Sequence, residues 1–170
     1  MDACRLTQAP HGWWLEGSAA FLQGDATARL RYEVQCDESW GTVGGAVEGA
    51  IGTVPLSLAI ERDRDGAWAL NGRPLPELQG LVDLDLGFTP ATNLFPIRRL
   101  ALSVGASSDA EAAWLDDANW SLVRLPQRYQ RRSETEYWYE SPTNGYAGLL
   151  VVDADGFVRD YPGLWIRTRP

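Results

Sequence analysis

The chain has 170 residues, 45% of them apolar and 22% charged, enough for one domain with its own core and too aromatic for a disordered or collagen-like chain. All fifteen basic residues are Arg; set against 23 acids they leave a net charge of −8 and a pI near 4.6. Such a balance argues against binding nucleic-acid phosphates or an anionic membrane surface, and the lack of Lys removes Schiff-base chemistry and the P-loop lysine.

At the N-terminus, Met1-Asp2-Ala3-Cys4-Arg5 lacks the basic and apolar regions of a signal peptide. No apolar run reaches the roughly 18 residues of a membrane-spanning helix, so a soluble, cytoplasmic protein without integral membrane association is expected. Cys4 and Cys36 are the two cysteines, too few for a disulfide framework or a zinc site. From Ala28 to Asp37 apolar and polar residues alternate: Ala28, Leu30, Tyr32, Val34 and Cys36 share one face, Arg29, Arg31, Glu33, Gln35 and Asp37 the other. That is the period of a half-buried strand, of the antiparallel kind. Leu56, Leu58 and Ile60 repeat it, Arg62-Asp63-Arg64-Asp65-Gly66 turns the chain, and Trp68 and Leu70 precede Asn71-Gly72, a type I′ hairpin signal. Val82, Leu84, Leu86 and Phe88 alternate next.

Helical candidates follow at 93–102 and 109–115. Further strands are expected over 120–125, 134–140, 146–152 and 157–161, separated by Asn144-Gly145 and Asp155-Gly156 turns. Short strands at this spacing make one all-β domain, whether roll, barrel or sandwich. Charge is divided unevenly: residues 1–85 carry six Arg against thirteen acids, residues 86–170 nine against ten.

His11 is the single histidine, in a Pro-His-Gly turn, and no nucleophile elbow, H-E-x-x-H or paired C-x-x-C occurs. For an enzyme, carboxylates remain. Asp83 and Asp85 share a strand face about 6–7 Å apart, within the range of glycosidase acid and base pairs. A polar, solvent-facing or Arg-paired strand face is the better explanation of the two. Thr89-Pro90-Ala91-Thr92-Asn93-Leu94-Phe95-Pro96-Ile97-Arg98-Arg99-Leu100 is the most specific local feature, a rigid irregular corner after a strand. Arg98 and Arg99 either meet a polar head group or pair with Asp83 or Asp85. Eight Trp and six Tyr suit either a filled core or a concave aromatic lining.

Several motifs together resemble the "putative glycolipid-binding" family of bacteria. They run from Tyr32-x-Val34-x-Cys36-Asp37-x-x-Trp40-x-Thr42 through Asp65-Gly66-x-Trp68, Asn71-Gly72 and Asp83-Leu84-Asp85-Leu86 to the Thr89–Leu100 corner. Gln127-x-Tyr129, Tyr137-x-Tyr139-Glu140-Ser141, Val151-Val152-Asp153 and Asp160-Tyr161-Pro162-Gly163-Leu164-Trp165 continue the match, which spans about residues 12–167. This sequence departs from the pattern at Leu81, at Gly41 and in the small, glycine-rich run Val43-Gly44-Gly45-Ala46-Val47, which tightens sheet curl or leaves room for a ligand. The resemblance implies a single domain over 1–170 folded as a spiral β-roll, a curled, strongly bent antiparallel sheet with one or two short helices. It further implies non-enzymatic binding of a glycolipid or similar amphiphile in an aromatic concavity. Trp40, Trp68, Tyr137 and Tyr139 would line it, and Asn93, Arg98 and Arg99 would meet the polar head. Neither a metal nor a cofactor is expected. The alternatives are a carboxylate-dependent hydrolase using Asp83 and Asp85, or a structural or protein-interaction module.

Overall fold

The computed structural model describes residues 1–168, and within them the chain is all-β, mostly antiparallel, with one short α-helix. Seven strands form the first sheet in chain order: β1 (Asp2–Ala9), β2 (Gly12–Gln23), β3 (Ala26–Cys36), β4 (Thr42–Ile51), β5 (Val54–Arg62), β6 (Trp68–Leu70) and β7 (Arg73–Leu75). Each pairs antiparallel with its sequence neighbour, through two-residue loops at β1–β2, β2–β3, β4–β5 and β6–β7 and five-residue loops at β3–β4 and β5–β6. At the β6–β7 loop Asn71 and Gly72 both take positive φ, 50° and 73°, the combination a type I′ turn needs.

A second sheet has the order β11 (Ser121–Leu125), β10 (Ala112–Asp116), β8 (Asp83–Leu86), with β8 and β10 parallel. The third contains β16 (Trp165–Ile166), β15 (Val158–Tyr161), β14 (Tyr146–Val152), β13 (Glu136–Ser141), β12 (Arg128–Arg131) and β9 (Ser107–Asp109), in that order. Between β8 and β9 runs the corner, a 3-10 turn over Pro90–Asn93 followed by helix α1 (Leu94–Leu100). None of the sheets is closed or strongly curled.

Alternation on β3 reads directly into packing: Ala28, Leu30, Tyr32, Val34 and Cys36 are buried, and the residues between them face outward. Leu30, Tyr32, Val34 and Cys36 join Leu15, Val47, Ile60, Trp68, Leu84, Leu86, Phe88 and Leu115 in a core between the first and second sheets. A separate cluster of Ile97, Tyr129, Tyr137, Tyr139, Leu150, Val152 and Tyr161 packs the third sheet under α1. Gly17 is required by one close approach. The Tyr32 ring lies over it, so that a Cβ there would sit 2.2 Å from the ring, and the Tyr32 hydroxyl thereby reaches Asp2 on β1 at 3.0 Å.

The helix expected at 93–102 is α1. The one expected at 109–115 is instead the end of β9 and most of β10. Ala112-Ala113-Trp114-Leu115 favours helix locally, but Ala112 to Leu115 pair with Asp83 to Leu86, and this distant pairing overrides propensity. Cys4 and Cys36 are both free, on strands separated by β2.

Candidate functional site

Two places in the fold gather chemistry, and they differ in accessibility. The first is the corner. β8 is bonded to β10 on one side only, and on its other side the backbone N–H groups of Leu84 and Leu86 donate to the hydroxyls of Thr42 (3.0 Å) and Thr92 (3.1 Å). Buried backbone donors need such partners. Asp83, 1% exposed, receives both prongs of the Arg99 guanidinium, Nε at 2.8 Å and Nη2 at 2.5 Å. Asn93 Nδ2 donates to the Tyr129 hydroxyl at 2.7 Å, and Gln127 Nε2 to Asp85 Oδ2 at 2.5 Å. These bonds clamp the second sheet to the third.

Burial pushes the Asp85 carboxyl up to about 6; the Gln127 and Thr92 hydrogen bonds oppose that rise and neighbouring Asp83 adds to it. A carboxyl that folding makes harder to ionise binds its proton more tightly in the native state. Its contribution is therefore full below about pH 4, falls as pH rises to about 6, and is flat beyond. Two pKa units correspond to about 3 kcal/mol. Asp85→Asn is expected to remove that slope. Chemical denaturation of both proteins at pH 4, 5, 6 and 7 checks it, with the variant gaining on the wild type across the interval. A parallel pair of curves would show that Asp85 is not the group responsible.

Four of the seven residues expected to contact a ligand lie in the interior, and a fifth, Arg99, is partly exposed with its guanidinium held on Asp83. Trp68 is 2% exposed, with its indole N–H on the Leu81 carbonyl at 3.1 Å. Tyr137 and Tyr139 are buried in the third-sheet core, Asn93 is held by Tyr129 and Arg99 by Asp83. Trp40 and Arg98 reach the surface. Trp40 takes φ 69°, uncommon for a non-glycine residue, in a turn whose N–H groups at Ser39 and Gly41 are bound by the Asp37 carboxylate. Its ring stacks on Trp13 at 4.6 Å and lies under Arg98, which also donates to the Asp155 carbonyl. The seven thus divide between two cores and a surface stack, and they do not converge on one concavity. As for the hydrolase alternative, Asp83 is fully engaged by Arg99, which leaves no free pair of carboxylates.

The second place is the outward face of the first sheet. Cross-strand register puts Ala3, Ser18, Arg31, Glu48 and Ser57 in one row across β1 to β5. Arg5, Glu16, Glu33, Ala46 and Ala59 form the next row, and Ala20, Arg29, Ala50 and Pro55 flank the first on its other side. Small side chains make a floor; long charged ones stand around it. Two adjoining grooves result, each of about 600 Å³. One is polar, with Arg5, Glu16, Arg31, Glu33 and Glu48 around Ala46; the other, lined by Met1, Ala19, Ala20, Leu30, Arg29 and Gly49, is more apolar. Ala3, Ser18, Arg31 and Glu48 belong to both. None of the seven expected residues lines either groove. The signal that could have found them was the small run at 43–47, whose Ala46 lies in the floor.

A family model described as "Putative glycolipid-binding" matches residues 1–167. The chain belongs to that family. Its fold is similar to the crystal structure of a DUF1089 family protein from Pseudomonas aeruginosa, with a TM-score of 0.83 and 27% identity over 98% of this chain and 92% of that one. No curated protein matches the chain. Among the described residues no helix is long and apolar enough to cross a membrane, and no group of three His, Cys, Asp or Glu is placed to hold a metal ion.

Proposed function

We propose that this family member binds a glycolipid or a similar amphiphile without altering it, and that the ligand lies in the paired grooves on the outward face of β1 to β4. The observation that carries this reading is the joining of a polar groove and a more apolar one through the shared residues Ala3, Ser18, Arg31 and Glu48. An amphiphile needs two such surfaces side by side. Glu16, Glu33 and Glu48 can accept the hydroxyls of a sugar, since ionised carboxylates make the stronger, charge-assisted hydrogen bonds. The alanine floor offers a dry track for an alkyl chain, at about 0.8 kcal/mol per buried methylene. Trp68, Asn93, Arg99, Tyr137 and Tyr139 would have to leave a packed core or existing hydrogen bonds to touch a ligand. The proposal therefore moves the site away from them, keeping Trp40 and Arg98 as the accessible pair of the original set. One domain over residues 1–170, of the spiral β-roll type, is part of the same reading, supported by the unbroken neighbour order β1 to β7.

Native mass spectrometry of protein purified from a lipid-rich host, followed by solvent extraction, tests it. The wild type is expected to carry one amphiphile per chain, and Ser18→Trp, which fills the junction from an exposed position, to lose it while keeping the same melting temperature. A clean apo mass that added glycolipid does not shift would overturn the reading. Retention by Ser18→Trp with loss in Trp40→Ala would move the site to the Trp13–Trp40–Arg98 stack.

A further inference from the structure

Arg29 and Arg31 occupy an unusual position. Most guanidinium groups in the described chain are engaged: Arg5 with Glu16, Arg62 with backbone carbonyls, Arg98 with Asp155, Arg99 with Asp83, Arg124 with Glu111, Arg128 with Asp109, Arg131 with three carbonyls, Arg167 with Asp153. Arg29 and Arg31 make no side-chain hydrogen bond or ion pair with any described residue, and neither do Arg64, Arg73, Arg132 and Arg159. Only Arg29 and Arg31 sit at i and i+2 on one strand face, both exposed, and both lining the same groove. Strand rise separates their Cα atoms by about 6–7 Å, close enough for two planar forks to reach one small group. Glu48 is directly across from Arg31 in the register, yet the two do not form an ion pair.

We infer that Arg29 and Arg31 form an oxyanion seat at the junction of the grooves, and that the amphiphile this protein takes carries a phosphate, sulfate or carboxylate between its apolar chain and its polar head. This rests on the groove reading above and narrows its ligand class. Charge complementarity supports the seat. In a chain of net charge −8, the side chains on the walls of the apolar groove include two unpaired guanidinium groups and one acid. The polar groove beside it has Glu16, Glu33 and Glu48 against Arg5 and Arg31, with Arg5 already paired to Glu16 at 2.9 Å. An anion is therefore favoured on the Arg29 side and hydroxyls on the Glu33 side. Apolar contact continues past the seat: Ala20 is followed two residues on by Leu22, on the same face of β2 and 73% exposed.

Titration calorimetry with three probes tests this, each below its micellar concentration where it has one: dodecyl phosphate, dodecyl maltoside and inorganic phosphate. Dodecyl phosphate is expected to bind one per chain and at least about tenfold more tightly than dodecyl maltoside, as two charge-assisted bidentate contacts imply. The Arg29→Gln/Arg31→Gln double variant should abolish that preference, with dodecyl phosphate losing at least about tenfold more affinity than dodecyl maltoside. Glu48→Gln removes the acid facing the seat but also an acceptor for sugar hydroxyls. It should tighten dodecyl phosphate about two- to threefold and weaken maltoside, with the phosphate gain shrinking at high salt. Equal affinity for phosphate and maltoside in the wild type would overturn the oxyanion seat and leave the groove reading standing. Inorganic phosphate binding as tightly as dodecyl phosphate would overturn the amphiphile part. No binding of either dodecyl probe would overturn both.

Discussion

Arg99→Met is expected to destabilise the protein by about 3–4 kcal/mol at pH 7, with its urea midpoint shifted and its slope unchanged. The Asp83 carboxylate is 1% exposed, and both its oxygens are occupied by Arg99. Removing the guanidinium leaves a buried charge without a partner. In a chain of this length a loss of 3–4 kcal/mol lowers the melting temperature by about 6–16 °C. Asp83→Leu in the same background should recover much of the loss, because a buried pair replaced by apolar groups is close to neutral. A single variant that melts with the wild type would show that Asp83 finds another donor.

That ion pair was legible in the sequence as one of two readings of the corner, and the residues show why. Two prolines fix the backbone from Pro90 to Pro96, which brings Arg99 back over a strand only sixteen positions earlier, a local arrangement. Alternation on β3 and the Asn71-Gly72 turn are local too, and both hold in the structure. Long-range facts were not legible. Period-two alternation tells which residues share a face but not what covers it, so Tyr137 and Tyr139 read equally well as a lining and as a core. The grooves depend on Ala3, Ser18, Arg31 and Glu48 lying in one row, and that needs the register of four strands. A one-residue slip in any of them would turn its side chains to the other face. On β1 and β2 apolar and polar residues are mixed along the outward face, which hid the row further.

Trp68 separates the two accounts of where a ligand sits. If its ring met a ligand, as the aromatic-concavity expectation had it, Trp68→Ala would lower affinity and leave the fold intact. In the structure the ring belongs to the first core, and its N–H shares the Leu81 carbonyl with Arg62 Nε. Trp68→Ala is therefore expected to cost about 3–5 kcal/mol in stability, the range for emptying a buried aromatic site. The milder Trp68→Phe keeps most of the volume and loses one hydrogen bond, for about 1–2 kcal/mol. It is the more telling variant, because it stays folded. With the ligand on the outward face, Trp68→Phe should bind dodecyl maltoside as the wild type does while melting a few degrees lower. Binding and stability then separate cleanly: the core carries one, and the small-residue floor with its charged walls carries the other. Lost affinity at an unchanged melting temperature would instead return the ligand to the aromatic interior.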